Sequence, residues 1–391
     1  MANTFKFGNK KWATKEGSVL AYNDENNNFK PLPFDFTRAS SATRVNENGL
    51  IEVVGSNEPR IDYLNNTSGH LLLEPSRTNL ALYSEEFDNA AWAGLGLGTA
   101  SVPSVTANYG IAPDGSLTAD RIQFDLNGGT TASDRSIKRQ SITSQTDYVI
   151  SFYVKSNTAT DQKLLFHWGT DSDEFTATSE WQRFTLNKNG TSVSYIGLSL
   201  LGSLSSEDTA DVLVWGAQVE QGSYATSYIP TSGSAVTRAA DSCLDAGNSS
   251  VFNDSEGTLF LNLDFGENHS ASRYISLNDD SNSNRIQIGR GGTVGSLSYF
   301  VSIGGVTQVG VVLSEGTGQK LKLSIRYKAN DYSIYSNGVE IYSNTSLSST
   351  PTGLDNFTFS TASGGEFFGK AIECKYYNTA LTAAELIALT S

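Results

Sequence analysis

The chain has 391 residues and a formal net charge of −14, with 17% charged and 38% hydrophobic residues. Its 36 Gly, 17 Tyr, 19 Phe and single Met indicate β-strands joined by turns, and they exclude a helical bundle or coiled coil for most of the chain. Proteins that bind nucleic acid or membrane surfaces carry a basic face. The negative charge, with no Lys/Arg run longer than a pair such as Lys10-Lys11, argues against both partners.

Residues 1–80 are irregular and rich in Asn, Pro and charge. Two short strands are predicted, Phe34–Thr37 and Gly49–Val54, separated by turn residues that include Asn46–Gly49. A segment of this kind buries little apolar surface alone. We therefore predict an extended arm or small anchor that packs on its neighbours or on other chains.

Residues 81–235 contain clear strand patterns. The predicted strands are Thr146–Ser156, Gln162–Trp168, Glu180–Leu186 and Asp211–Glu220. The last of these is almost entirely apolar at its start, as expected for a central strand. Short strands separated by Gly, Ser and Asn turns are typical of a β-sandwich.

Ile229–Asp241 has the composition of a linker or domain boundary. Within it, Val236–Ala240 echoes an earlier segment, Phe36–Ser40. The sequence explains this echo only as a shared extended conformation.

Residues 236–391 form a second predicted β unit, with strands at Thr258–Phe265 and Lys320–Tyr327. Asn337-Gly338 lies between two alternating apolar runs and predicts a hairpin with a type I′ turn, which needs positive φ at both residues. Only the tail, Leu381–Leu389, has a helical pattern. Thr382 is its expected N-cap, and the Glu three residues later completes a capping box.

Cys243 and Cys374 are too few for a disulfide framework. A single bridge between them is open geometrically, but two buried thiols are the favoured interpretation. No stretch approaches 18 consecutive apolar residues, so no membrane span is predicted. Residues 1–20 lack a continuous apolar segment, so we expect no signal peptide.

The chain carries none of the usual catalytic signatures. His70, His167 and His269 are far apart, one in each region, and no HExxH, GxSxG or Cys/His ligand spacing occurs. We therefore expect a protein without enzymatic activity.

Two acidic turns are candidate sites. Asp171, Asp173 and Glu174 follow the strand that ends at Trp168, and Asp279 and Asp280 lie in an Asn- and Ser-rich turn. Each is a solvated turn or a calcium site, because calcium prefers several closely spaced oxygens. A catalytic carboxylate pair is the least favoured interpretation.

Aromatic residues near polar loops are the candidates for sugar binding, because sugars stack their apolar faces on aromatic rings. Trp168 lies at a strand end before the acidic loop, where sandwich ligand sites usually lie, so Trp168, Asp171 and Asp173 form one predicted ligand site. Arg290 and Tyr299, beside a Gly-rich loop, form a weaker one.

Two segments of the chain resemble sequences that recur in structural proteins of tailed bacteriophages. They are His70–Leu80, continued by Tyr83–Phe87 and Trp92, and Trp215–Thr231. In those proteins the enclosed region resembles carbohydrate-binding modules of the galactose-binding-like jelly-roll type, and Tyr148–Lys155 and Trp181–Leu186 are similar to its inner strands. The last region resembles concanavalin-like and laminin-G-like lectin sandwiches, through Tyr332–Tyr342 and Gly369–Leu386.

The resemblance implies an all-β fold with an N-terminal extended arm (1–80) and two β-sandwich jelly rolls (81–235 and 236–391). It implies a virion structural protein, a head or tail fibre, that binds host surface polysaccharide. Such a fibre forms homotrimers and attaches to capsid or tail proteins through residues 1–80. It has no cofactor beyond a structural calcium, binds no nucleic acid and does not insert into membranes. The alternatives are a capsid decoration or spacer without ligand, and a glycan depolymerase.

Overall fold

The structure, a computed structural model, describes residues 5–23, 27–29, 33–169, 171–190, 192–266, 273–291, 296–314, 320–361 and 364–391. Almost all regular structure in these ranges is β-strand, with one helix near the C-terminus, which confirms the all-β prediction. No helix in these ranges has the length and apolar character needed to cross a membrane.

The strands follow the chain in three groups. The first group is β1 Phe5–Gly8, β2 Thr14–Lys15, β3 Ser18–Val19, β4 Tyr22–Asn23, β5 Asn28–Phe29, β6 Phe34–Thr37, β7 Ala42–Val45, β8 Ile51–Val54, β9 Ile61–Asp62, β10 His70–Leu73 and β11 Arg77–Asn79. The second is β12 Ala93–Leu97, β13 Ser104–Gly110, β14 Ala119–Asp125, β15 Arg135–Gln145, β16 Tyr148–Ser156, β17 Gln162–His167, β18 Asp171–Ala177, β19 Gln182–Lys188, β20 Val193–Leu201, β21 Thr209–Gln221 and β22 Val236–Arg238. The third is β23 Ser242–Leu244, β24 Glu256–Asp264, β25 Arg273–Asn278, β26 Arg285–Arg290, β27 Ser296–Ile303, β28 Val306–Ser314, β29 Lys320–Lys328, β30 Tyr332–Ser336, β31 Val339–Asn344, β32 Asn356–Thr358, β33 Gly369–Tyr377 and the helix α1 Ala383–Thr390.

The chain divides into two compact units rather than an arm and two domains. The first unit contains Met1–Gly49, Val53–Pro75 and Ala239–Ser391. The second contains Leu50–Glu52 and Ser76–Arg238. The boundary predicted at residue 80 is therefore corrected: most of the segment predicted as an arm or small anchor lies in the same unit as the C-terminal region.

Strand pairing explains this correction. In the first unit β33 lies within a ten-stranded sheet, where β24 pairs along one edge. The other edge is covered by β1, with Phe5 opposite Tyr376, and by β10, with Leu71 opposite Ala371. An uncovered edge of this length would expose unpaired backbone groups to other chains. The N-terminal strands are thus structural parts of the C-terminal sheet.

Aromatic packing joins the same parts of the first unit. The Phe5 ring lies edge-on to Phe357, with centroids 5.8 Å apart, and the Phe7 ring lies edge-on to Phe359 at 5.7 Å. Phe34 contacts both C-terminal rings, at 5.7 and 5.5 Å. Edge-to-face pairs contribute about 0.5–1.5 kcal/mol each beyond the area they bury. The N-terminal phenylalanines therefore complete a core that the C-terminal strands alone leave open.

A buried ionic network also crosses the first unit. The Asp241 carboxylate accepts from Arg38 Nη1 at 3.1 Å and from Arg60 Nη2, and these three side chains are fully buried. Arg60 Nη1 donates to Glu74 Oε2 at 2.7 Å, and the Glu74 backbone N–H donates to Asp241 at 2.8 Å. Burial alone would lower the pKa of Arg60, but the two carboxylates outweigh it and raise that pKa. Two cations and two anions thus neutralise one another inside the unit.

The echo between Phe36–Ser40 and Val236–Ala240 has a structural basis in these arginines. Arg38 and Arg238 are each 1% exposed. Arg38 binds the Asp241 carboxylate in the first unit. In the second unit, Arg238 Nη1 donates to the Thr226 and Ser227 hydroxyls at 3.2 and 2.9 Å. In each copy of the motif, the arginine is buried and its guanidinium donates hydrogen bonds to acceptors in its own unit.

The second unit is a sandwich of two five-stranded sheets. Their strand orders are β12-β15-β20-β17-β18 and β13-β14-β21-β16-β19. Ile196 and Leu198 of the first sheet share a core with Ile150 and Phe152 of the second. The strands predicted for this region are present, with bounds that differ by a few residues.

Three local predictions are confirmed. Asn337 and Gly338 connect β30 to β31 with φ values of 46° and 84°, as a type I′ turn requires. Thr382 caps α1 in a capping box with Glu385. Cys243 and Cys374 are buried free thiols in the first core. Burial raises the pKa of both thiols well above the usual value.

We expect Asp241→Asn to lower the free energy of unfolding of the first unit by about 3–5 kcal/mol, because it leaves buried arginine charge uncompensated. Chemical denaturation followed by circular dichroism measures this loss. The matched control is Glu256→Gln, which removes a partly exposed carboxylate 3.0 Å from Lys328. We expect it to cost less than about 1 kcal/mol. Equal losses in the two variants would contradict a structural role for the network.

Candidate functional site

The structure brings Trp168 and Asp173 together through a third residue, Lys188. The Lys188 ammonium lies 4.3 Å from the centroid of the Trp168 ring and 2.8 Å from the Asp173 carboxylate. Trp168 is half-buried against the core of the second unit. The Lys188 ammonium therefore covers part of the Trp168 ring face that was predicted to stack on a sugar.

A β-bulge aims the Asp173 side chain. The pairing of β17 with β18 shifts register at this residue, and Asp173 has a left-handed φ of 63°. Asp171 pairs with His167 through its backbone. The Asp171 side chain lies outside the part of the chain that is described.

The turn of Asp279 and Asp280 is organised by its own hydrogen bonds. Asp279 accepts from the Ser281 hydroxyl at 2.6 Å and from the Asn284 side-chain amide at 2.9 Å. Burial alone would raise the Asp279 pKa, but these bonds outweigh it and lower that pKa. Asp280 accepts from Asn356 Nδ2 at 3.3 Å. Within the described ranges, no group of three or more His, Cys, Asp and Glu side chains is placed to hold a metal ion.

The weaker candidate pair is placed in the interior of the first unit. Tyr299 is 0% exposed and packs edge-on against Tyr342, with centroids 5.5 Å apart. Burial raises the Tyr299 pKa well above its usual value. Arg290 is 6% exposed, and its guanidinium lies 5.0 Å from the Phe265 ring. Both residues are core components rather than surface groups.

A different set of polar and aromatic residues meets on one face of the second unit. In β20 and β17, Leu198 and Phe166 point into the core. Because strand side chains alternate, Tyr195 and His167 point to the opposite face. Arg139 joins them on that face, because it pairs directly with Gly197, which also pairs with His167.

The three side chains form one connected group, which we call the Arg139 cluster (Arg139, His167 and Tyr195). The Arg139 guanidinium lies 4.0 Å from the Tyr195 ring centroid, and its Nη1 donates to His167 Nε2 at 3.3 Å. A guanidinium can only donate, so His167 Nε2 is the acceptor in this hydrogen bond. Arg139 and Tyr195 are half-buried, whereas His167 is 1% exposed.

Gly197 makes the contact between Arg139 and His167 geometrically possible. A Cβ at this position would lie 2.1 Å from the Lys138 carbonyl oxygen and 2.8 Å from Arg139 Cα. Any side chain here would displace the Arg139 strand. A lone Gly inside the apolar run of β20 is the signal that could have indicated a close approach at this site.

A second row of paired residues lies on the same face of the sheet. Leu165 pairs with Ser199 on one side and with Glu174 on the other. Glu174 lies 3.5 Å from the Lys163 ammonium, and both side chains are about one-third exposed, at 34% and 39%. Leu165 itself is buried. Aliphatic residues share this face, because Leu95 and Leu97 of β12 pair directly with Ile137 and Arg135, and Leu97 is 45% exposed. Sequence reasoning missed Arg139, Tyr195 and Lys163.

No family model and no curated protein matches this chain. Among solved structures, it is similar to the CBM40 domain of a Ruminococcus gnavus IT-sialidase bound to α2,3-sialyllactose, with 16% identity over 38% of this chain and 94% of that one (TM-score 0.31). It is similar to the tandem CBM22 domains of Paenibacillus barcinonensis Xyn10C, with 13% identity over 79% of this chain and 99% of that one (TM-score 0.27). It is also similar to a tail fibre protein of an E. coli phage, with 10% identity over 78% of this chain and 41% of that one (TM-score 0.23). Similarities of this size do not establish a common function.

We expect millimolar calcium to leave the melting temperature unchanged relative to a chelator, because hydrogen bonds already hold the Asp279 carboxylate. Differential scanning calorimetry measures this. Asp279→Asn is the companion variant, and we expect it to melt at a lower temperature in both buffers. A calcium-dependent rise that is present in the parent and lost in this variant would establish a calcium site.

Proposed function

We propose that this protein is a non-enzymatic virion structural protein, a head or tail fibre, that binds host surface glycans through its β-sandwich units. The Arg139 cluster is the observation that carries the binding part of the proposal. The resemblance of His70–Leu80 and Trp215–Thr231 to phage structural proteins supports the virion part.

The chemistry of the Arg139 cluster suits a saccharide. A guanidinium presents several donors in a fixed plane, which match sugar hydroxyls or the carboxylate of an acidic sugar. Tyr195 adds a phenol, and the nearby pair Lys163–Glu174 adds a donor and an acceptor. An open surface of this kind binds one sugar weakly, but many copies on one particle raise the overall avidity.

Attachment to capsid or tail proteins is part of the proposal, and we locate it in the first unit. The N-terminal segment is folded into that unit, so an attachment surface must be formed by the assembled unit rather than by a free arm. A symmetric fibre presents the same sugar-binding surface several times, so weak contacts with a repetitive polysaccharide add together.

We expect Arg139→Ala to weaken binding of the intact chain to host polysaccharide by tenfold or more, because a charge-assisted hydrogen bond contributes about 1.5–3 kcal/mol. Biolayer interferometry on immobilised polysaccharide measures the change. The matched control is Arg121→Ala, which removes an arginine 5.1 Å from the Tyr109 ring on the other sheet of the same unit.

Three results would contradict parts of this proposal. Equal binding by the two variants would exclude the Arg139 cluster as the site. A folded parent chain that binds no host polysaccharide would favour the spacer alternative. Release of new reducing ends from the polysaccharide would favour the depolymerase.

The fibre proposal further predicts a homotrimer. Multi-angle light scattering should give three times the chain mass of 42.0 kDa. A mass of one chain at micromolar concentration would contradict the trimer.

A further inference from the structure

A cleft of about 560 Å³ opens on the first unit, and none of the candidate site residues from the sequence lines it. Its lining includes Lys10, Trp12, Asn46, Glu47, Tyr63 and Ser68. The volume is within the usual range for a small-molecule pocket, about 300–1,000 Å³. Two aromatic rings, a cation, an anion and uncharged polar groups therefore line the same cleft.

Trp12 is held in a fixed position in this cleft. Its Nε1 donates to the Ser68 carbonyl oxygen at 2.9 Å. Its ring packs against Phe7 of the first core, with centroids 5.9 Å apart. The indole is half-buried, so part of it contributes to the wall of the cleft.

Tyr63 is fixed by its hydroxyl and by a glycine. Tyr63 Oη donates to Glu47 Oε1 at 2.7 Å. Burial and this carboxylate raise the Tyr63 pKa to about 12, so the phenol keeps its proton at neutral pH. Gly69 has a φ of 70°, and a Cβ there would lie 3.1 Å from the Tyr63 ring. The ring therefore lies directly against the backbone.

The turns that carry these residues are closed by their own hydrogen bonds. Asn46 Oδ1 accepts from the Asn48 backbone at 2.9 Å, and Asn66 Oδ1 accepts from the Ser68 backbone at 2.9 Å. Asn66 Nδ2 donates to the Gly69 carbonyl at 3.1 Å. A preformed cleft loses little conformational entropy when a ligand binds.

We propose that this cleft binds a neutral saccharide, with the apolar face of a sugar ring against Trp12 or Tyr63. Glu47 receives a hydrogen bond from Tyr63 through one oxygen, and its second oxygen accepts sugar hydroxyls. Lys10 supplies a donor of the opposite charge. One cation and one anion give the lining no net charge, which disfavours an acidic sugar near Glu47. The polar lining likewise disfavours a lipid or a flat hydrophobic cofactor.

The inference concerns a different unit from the Arg139 cluster and does not depend on it. It does require that particle attachment uses another part of the first unit. The two sites are therefore separable by variants in each unit of the same full-length chain.

The test is isothermal titration of the full-length chain with neutral gluco-, galacto-, manno- and xylo-oligosaccharides. We expect at least one of them to bind, and Glu47→Gln to weaken that binding by tenfold or more. The Gln side chain still accepts from Tyr63, so the cleft keeps its shape while the charged acceptor is lost. The matched control is Glu58→Gln, an exposed carboxylate whose partner is the Gly55 backbone. It should leave the affinity unchanged.

Tyr63→Phe is the second variant, because it keeps the ring and frees Glu47, and we expect a few-fold weaker affinity. Melting temperatures verify that each variant folds. Binding that Arg139→Ala abolishes and Glu47→Gln does not would overturn the cleft and leave the proposed function standing. Binding lost only with Glu47→Gln would support the cleft, and the Arg139 cluster would still be judged by its own test on host polysaccharide. No binding of any of these oligosaccharides by the folded parent would overturn the inference.

Discussion

Asp241 between Arg38 and Arg60 is the contact on which the first unit depends. It joins a residue from the start of the C-terminal region to two residues from the first sixty of the chain. Isolated buried charges are strongly unfavourable, so each member of the network requires the others to be in place. The network therefore favours one specific arrangement of N-terminal and C-terminal segments, whatever its net contribution to stability.

Backbone pairing around β33 also holds the N-terminal and C-terminal segments in one arrangement. β1 and β10 cover the edge that β24 leaves open, while Phe5 and Phe7 fill the core beneath them. Backbone pairing, aromatic packing and ion pairing thus join the same two parts of the chain. The cleft of Trp12 and Tyr63 is available only because this N-terminal segment is ordered on the sandwich.

Features determined by neighbouring residues were predictable from the sequence. The Asn337-Gly338 turn and the Thr382 capping box depend on a few consecutive side chains, and both are present. The Asp241 network and the Arg139–His167 contact join residues that are distant in the chain, so no local pattern reveals them. The position of Trp168 at a strand end is visible in the sequence, but the Lys188 ammonium over its ring is not.

The order of the strands has a consequence for biosynthesis. β1 leaves the ribosome long before its partner β33, which is translated near the end of the chain, after the whole second unit. The second unit can close as soon as Arg238 is available, since all its strands are then present. While the second unit is being translated, Phe5 and Phe7 lack the C-terminal strands against which they pack. Exposed aromatic segments of nascent chains are prone to aggregate. The inserted unit is therefore expected to mature before the unit that surrounds it in the sequence.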